Sequence, residues 1–246
     1  MKQNKYDDPT FFKAYAEMAR SRGGLAAAGE WPEFQKLLPE MGGKSVLDLG
    51  CGYGWHCRYA RTQGASTVVG IDISEKMLTK ANELTNDDGI RYVNSAIEDM
   101  EFSNQSFDII ISSLAFHYIQ SFDEACAKVY NLLKKNSTFI FSVEHPIFTS
   151  RNDQDWIYIS DSSEPLYWAV DNYQYEGKRK TSFLTGEVIK YHRTLSTYIN
   201  QLIKAGFRIN NVVEPGPTEE LICQIPEMVH ENRRPMFLLI AAEKRE

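Results

Sequence analysis

The stretch that decides the fold is residues 46–54, Val-Leu-Asp-Leu-Gly-Cys-Gly-Tyr-Gly. Val46, Leu47 and Leu49 read as a short buried strand. Gly50, Gly52 and Gly54 follow as a loop with almost no side-chain bulk. Trp55 to Thr62 continues at helical spacing and stops at Gly64. A strand, a glycine loop and a helix make a nucleotide-type cradle, because glycines let the backbone approach a ligand and the helix start presents free N–H groups.

Two acids narrow the ligand. Asp48 sits at the strand end, where a carboxylate repels a pyrophosphate and suits the ammonium of an amino-acid tail. Thr67-Val68-Val69-Gly70-Ile71-Asp72 reads as the next strand. Its terminal Asp72 falls about 20 residues past the loop, the spacing at which an acid meets a ribose diol. That spacing also serves NAD enzymes. The loop separates the two, since it reads G-x-G-x-G behind Asp48 and not G-x-G-x-x-G. A nucleoside with a cationic tail is implied, and S-adenosylmethionine fits that description.

Residues 45–144 resemble the class I S-adenosylmethionine-dependent methyltransferases. The resemblance implies an α/β fold with a doubly wound, Rossmann-like sheet of seven strands, the last antiparallel. It implies that Asp48 and the loop Gly50, Cys51, Gly52, Tyr53 and Gly54 hold the methionine half, and that Asp72 holds the ribose. Ile73 and Met77 then flank adenine. Ala96 aligns where the family usually carries an Asp that accepts from the adenine amino group, so Ile97 is left to offer a backbone N–H and an apolar face. Ser113 and Leu114, at the end of the fourth strand (Phe107–Ser112), fall beside the sulfonium.

The chain has 246 residues, 43% hydrophobic and 24% charged, with a formal net charge of −6. That suits one α/β domain with a full core. The acidic balance argues against a nucleic-acid partner, and Lys178-Arg179-Lys180 reads as a solvated hairpin edge. Met1-Lys2-Gln3-Asn4-Lys5 has no apolar stretch behind it, so no signal peptide is expected, and no apolar run nears the ~20 residues of a membrane span. Cys51, Cys57, Cys126 and Cys223 have neither disulfide nor zinc spacing, and read as small buried or semi-buried residues in a reducing cytoplasm. No metal site is expected, and oligomeric state is not legible.

A single domain of four parts is expected. Residues 1–44 carry cap helices, over 8–20 and from Pro32. Residues 45–145 are the cofactor-binding core, with Ser74 as an N-cap, Ser121 to Glu124 as a capping box, a helix through Leu133, and a fifth strand over Thr138–Val143. Residues 146–192 break the alternation. They are rich in Tyr and Trp, too aromatic for disorder and too long for a bland loop, and read as β-hairpins forming a lid. Packing on the segment's own aromatics is the competing reading. Residues 193–246 supply a helix over Thr194–Ala205, ended by Gly206, and two closing strands over Phe207–Val213 and Pro235–Ala242.

Methyl transfer is an in-line displacement that needs positioning and sometimes a base. His145, after the fifth strand, and His192, before the returning helix, are expected on the acceptor side as candidate bases. The acceptor is expected to be a small, partly apolar molecule. The rivals are a non-catalytic S-adenosylmethionine-binding module and an NAD-dependent oxidoreductase.

Overall fold

Runs of Val, Leu and Ile without polar alternation need cover on both faces, and the cover comes from helices on either side of one sheet. The computed structural model describes residues 2–159 and 164–245. Three short helices come first: α1 (Pro9–Ala16), α2 (Ala19–Gly23) and α3 (Trp31–Leu37). Residues 8–20 are thus two helices and not one, because Met18 between them is extended (φ −63°, ψ 146°). Asp8 caps α1 through the Thr10 and Phe11 N–H groups.

Then strand and helix alternate: β1 (Ser45–Leu49), α4 (Trp55–Thr62), β2 (Thr67–Asp72), α5 (Glu75–Glu83), β3 (Ile90–Asn94), β4 (Phe107–Ser113), α6 (Phe122–Leu132) and β5 (Leu133–Glu144). Ser74 caps α5 by accepting from Met77 N–H. Ser121 makes no such bond, and α6 starts without the expected capping box. β5 begins five residues before the expected start. Leu133 is buried and pairs with Phe107, and Asn136 takes φ 55° where the register shifts.

After β5 come α7 (Pro146–Thr149), two strand pairs, β6 (Ile157–Tyr158) with β7 (Pro165–Tyr167) and β8 (Gly177–Phe183) with β9 (Gly186–His192), then α8 (Leu195–Lys204), β10 (Phe207–Val213), α9 (Glu219–Gln224) and β11 (Phe237–Lys244). Thr194 caps α8 and Gly206 follows it at φ 101°. α9 and the 3-10 turns over Pro226–Arg233 carry no periodic pattern that marks them in sequence.

Among the described residues seven strands form one sheet, ordered β10-β11-β5-β4-β1-β2-β3. β11 runs antiparallel to both β5 and β10, and the other pairings are parallel. This is the Rossmann-like methyltransferase sheet with an antiparallel last strand. Leu47 and Leu49 enter the core with Ile110, Phe139, Phe141 and Tyr198. Val46 faces the opposite core with Cys57, Ile109 and Leu239. β1 and β4 are central neighbours, so their C-terminal ends meet where the order turns, the place open α/β sheets bind ligands.

The expected lid contains both hairpins. Phe148 stacks on Trp168 at 5.2 Å, Trp156 meets Trp168 edge-on, and the Arg234 guanidinium lies 4.0 Å from the Trp168 ring centre. Part of the segment therefore packs on its own aromatics. No described helix is long and apolar enough to cross a membrane. Cys51, Cys57 and Cys126 are buried free thiols, whereas Cys223 is exposed, against expectation, on the outer α9.

Candidate active site

The three loop glycines are needed for two different reasons. All have positive φ: 74° at Gly50, 53° at Gly52 and 71° at Gly54. A Cβ on Gly50 would stand 2.5 Å from the Ala115 methyl, and one on Gly54 would stand 2.0 Å from Tyr92 Oη. A Cβ on Gly52 would meet nothing within 4 Å. Gly52 thus borders open space, while Gly54 is a packing residue. The Gly50 and Cys51 N–H groups both donate to Ile71 O at 2.9 Å, which fixes the loop to the end of β2.

That open space is one cavity of about 950 Å³. Its wall includes Gly50, Cys51, Gly52, Tyr53, Asp72, Ile73, Met77, Ala96, Ile97, Ser113 and Leu114. Eleven of the thirteen residues expected around the cofactor therefore share it, and Asp48 and Gly54 do not. Asp72 is held by two backbone donors, Gly52 N–H at 2.9 Å and Ser74 N–H at 2.9 Å. Burial pushes its pKa up to about 6. Leu114 holds φ 54°, a conformation disfavoured for a side-chain-bearing residue, with its N–H on Ser142 O and Oγ. Strained residues of this kind gather at binding sites.

Asp48 corrects the sequence reading. Strand side chains alternate, so Asp48 shares the face of Val46 and lies beneath the loop. It is 1% exposed; Cys57 Sγ donates to Oδ2 at 3.3 Å and Oδ1 has no partner. Burial pushes its pKa up to about 7. Because the folded state binds this proton more tightly than the unfolded chain, stability from this group falls as pH rises from about 4 to about 7. A rise of this size is worth up to about 4 kcal/mol. We expect Asp48→Asn to raise the melting temperature of the ligand-free protein by several degrees at pH 8 and by little at pH 4. Calorimetric scans at the two pH values check this, and equal shifts would contradict it.

A second buried acid lies behind Arg20 and Ser113, both of which are on the cavity wall. Arg20 lines the wall and its Nη2 meets Glu30 Oε1 at 2.8 Å. Ser113 Oγ donates to the same oxygen at 3.1 Å. Among the described residues, Glu30 Oε2 and Trp55 Nε1 are buried without partners. A buried carboxylate oxygen left unsatisfied is costly and calls for a donor. Glu30 itself is off the wall, whereas Arg20 on it suits a carboxylate such as that of a methionine tail. Glu30 was missed in sequence because only the folding of α2 and α3 over the loop brings it there.

The expected bases also move. His145 Nδ1 accepts from Ile147 N–H at 3.0 Å, and its Nε2 bonds Glu214 Oε1 at 2.8 Å. His192 Nδ1 bonds Thr149 Oγ1 at 2.8 Å, and its Nε2 donates to Tyr173 O at 2.9 Å. Both rings are buried, fully bonded and absent from the cavity wall. His145 follows Glu144, and successive side chains on a strand diverge, so Glu144 takes the cavity side. His192 ends β9 beneath α7. Both are positioned as structural ties. Glu144, His117 and Lys190 line the cavity in their place, with Phe148, Gln154, Phe183 and Tyr191.

Lys2, Gln3, Lys5 and Tyr6 also line the cavity. Gln3 exchanges two hydrogen bonds with the Ile189 backbone, Asn4 donates to Ile73 O, and Asp7 accepts from Ser74 Oγ and Lys76 N–H.

A glycine loop at the sheet's turning point, an acid on β2 and a polar amino-acid end define a nucleoside-binding α/β protein. A methyltransferase-domain family matches residues 47–141. A crystal structure of an S-adenosylmethionine-dependent methyltransferase from Mesorhizobium loti superposes with a TM-score of 0.84 at 42% identity, covering 90% of this chain and 100% of that one. A Listeria monocytogenes protein provisionally assigned to the same class superposes with a TM-score of 0.82 at 51% identity, covering 89% and 100%. The malonyl-[acyl-carrier protein] O-methyltransferase of Pectobacterium atrosepticum is 30% identical over 145 residues, 59% of this chain and 53% of that one. The match thus spans about half the length of that curated relative. This chain belongs to the S-adenosylmethionine-dependent methyltransferases, and S-adenosylmethionine is its cofactor.

Proposed function

We propose that this chain moves a methyl group to a small-molecule acceptor held beneath the insert. One observation carries the reading: a single cavity is walled on one side by the glycine loop and Asp72, and on the other by Phe148, Lys190 and Tyr191. The bound cofactor supplies an electrophilic methyl on a sulfonium. The chain's residues bind, orient and exclude water. Asp72 would accept from the ribose hydroxyls, Ile73, Met77 and Ile97 would flank adenine, and Arg20 would pair with the tail carboxylate. Ser113 and Leu114 set the edge beside the sulfonium, and the insert brings the acceptor in line.

Phe148, Phe183 and Tyr191 on the wall support an acceptor that is small and partly apolar. The net charge of −6 supports no nucleic-acid partner. The free thiols support a cytoplasmic setting. Because insert residues complete the cavity wall, we treat 1–246 as one functional unit.

The tail assignment separates two ligands. Arg20→Met is expected to weaken S-adenosylhomocysteine about tenfold or more, the loss of a charge-assisted pair. Binding of 5′-methylthioadenosine, which lacks the amino-acid tail, should change less than about twofold. Equal losses for both ligands, measured by calorimetry, would remove Arg20 from the tail site.

A further inference from the structure

The acceptor end of the cavity is built around a buried ion pair that the cofactor half does not need. Lys190 is 2% exposed, and its Nζ lies 2.6 Å from Glu144 Oε1 and 2.8 Å from Gln154 Oε1. Gln154 Nε2 donates to Glu144 Oε2 at 3.2 Å, and Thr181 Oγ1 donates to Gln154 Oε1 at 3.1 Å. Both Glu144 oxygens therefore have partners. Buried pairs of this kind contribute little net stability, so one that lines a ligand cavity points to recognition. An ammonium carries three N–H donors, and two are accounted for.

His117 adds a second donor. It lies in the turn Phe116–Tyr118, which packs against β9. Its Nδ1 accepts from Glu144 N–H at 3.3 Å, which places the ring proton on Nε2. Burial lowers its pKa to about 4, so the ring is neutral. Its Nε2 has no partner among the described residues. The acceptor end thus offers N–H donors from two sides. The His117 acceptor nitrogen is occupied and the Glu144 carboxylate is paired with Lys190, so neither of these two groups is free to take a proton.

We infer that Lys190 and His117 form a subsite for an oxyanion, and that the acceptor is a carboxylic acid methylated on its carboxylate. The inference rests on the methyltransferase reading above. A carboxylate oxygen lone pair forms the new O–C bond while the C–S bond breaks with its pair passing to sulfur. A methyl ester and a neutral thioether result, and no proton moves. The two donors, and the engagement of His117 and Glu144, suit that balance. An alcohol or an ammonium acceptor has to lose a proton.

The test uses the full chain saturated with S-adenosylhomocysteine and titrated calorimetrically with octanoate and phenylacetate, against octylamine, phenethylamine and octanol. The carboxylates are expected to bind and the others to bind at least tenfold more weakly. Lys190→Met should weaken carboxylate binding at least tenfold. Glu144→Gln, which removes the competing charge and frees the ammonium, should tighten it. The opposite signs distinguish recognition from a general packing defect, and S-adenosylhomocysteine affinity reports whether each variant is folded. Amine binding that Glu144→Gln abolishes would overturn the inference. So would binding of none of the probes by protein that binds S-adenosylhomocysteine. Failure to bind S-adenosylhomocysteine at all would instead overturn the methyltransferase reading beneath it. With labelled cofactor and a binding carboxylate, the transferred methyl should be released as methanol by mild base, and a base-stable label would contradict ester formation.

Discussion

Asp72→Ala is expected to weaken S-adenosylhomocysteine binding by about 100- to 1000-fold, the worth of two hydrogen bonds to a buried carboxylate. The carboxylate is aligned by the Gly52 and Ser74 N–H groups. It stands on the cavity wall at the end of β2, where two hydroxyls of a ribose meet it without rearrangement. Removing it also strips Gly52 N–H of its partner at the centre of the loop. The same residue sets a pH dependence. Burial raises its pKa from 3.8 to about 6 in the free protein, and Asp7 nearby contributes in the same direction. Hydroxyl donors favour the ionised form, so affinity should be full above pH 7 and fall as pH drops through about 6. Asp72→Asn should bind weakly at every pH and lose the slope. Wild-type affinity in Asp72→Ala, within about threefold, would remove the residue from the site.

Gly54→Ala is expected to destabilise the fold by about 3 kcal/mol or more. At roughly 2–4 °C per kcal/mol for a chain of this size, that lowers the melting temperature by about 10 °C. Two effects combine. A side-chain residue is strained at φ 71°, by about 1 kcal/mol. The new methyl would also meet Tyr92 Oη at 2.0 Å and Cζ at 2.7 Å. Tyr92 cannot swing freely, because its hydroxyl is 2.9 Å from Thr85 Oγ1. Adding Tyr92→Leu should recover part of the loss, a coupling that a double-mutant cycle measures. Gly52→Ala is the informative contrast. Its methyl enters open space, so the protein should stay folded and lose cofactor affinity. Equal melting temperatures for Gly54→Ala and wild type would contradict the packing role.

Strand, loop and helix over 46–62, the acid ending β2, the Ser74 cap and the helix after Thr194 were all legible, because each is a local pattern with a local cause. The antiparallel closing pair was legible only through family resemblance. Asp48 was misassigned for a physical reason. Every residue of β1 after Ser45 is buried, so hydrophobicity does not reveal which face is which, although alternation puts Asp48 with Val46. Gly54 was assigned to the ligand because a glycine pattern does not say whether backbone, ligand or Tyr92 needs the space. His145 and His192 stood out as histidines at the correct sheet edge, but the pleat and the insert turn both inward. Arg20, as a partner for the tail carboxylate, and His117, at the sheet edge after β4, are open to sequence reading. Only the tertiary fold brings them onto one cavity with Lys190, and no spacing in the chain announces Lys190.

The central claim is that the cavity beside the glycine loop is an S-adenosylmethionine site. Calorimetric titration of the purified chain with S-adenosylmethionine, S-adenosylhomocysteine and NAD tests it most directly. The account predicts micromolar binding of both adenosyl compounds at pH 7.5, abolished in Asp72→Ala, and no binding of NAD. Binding of NAD alone, or of none of the three by folded protein, would contradict it.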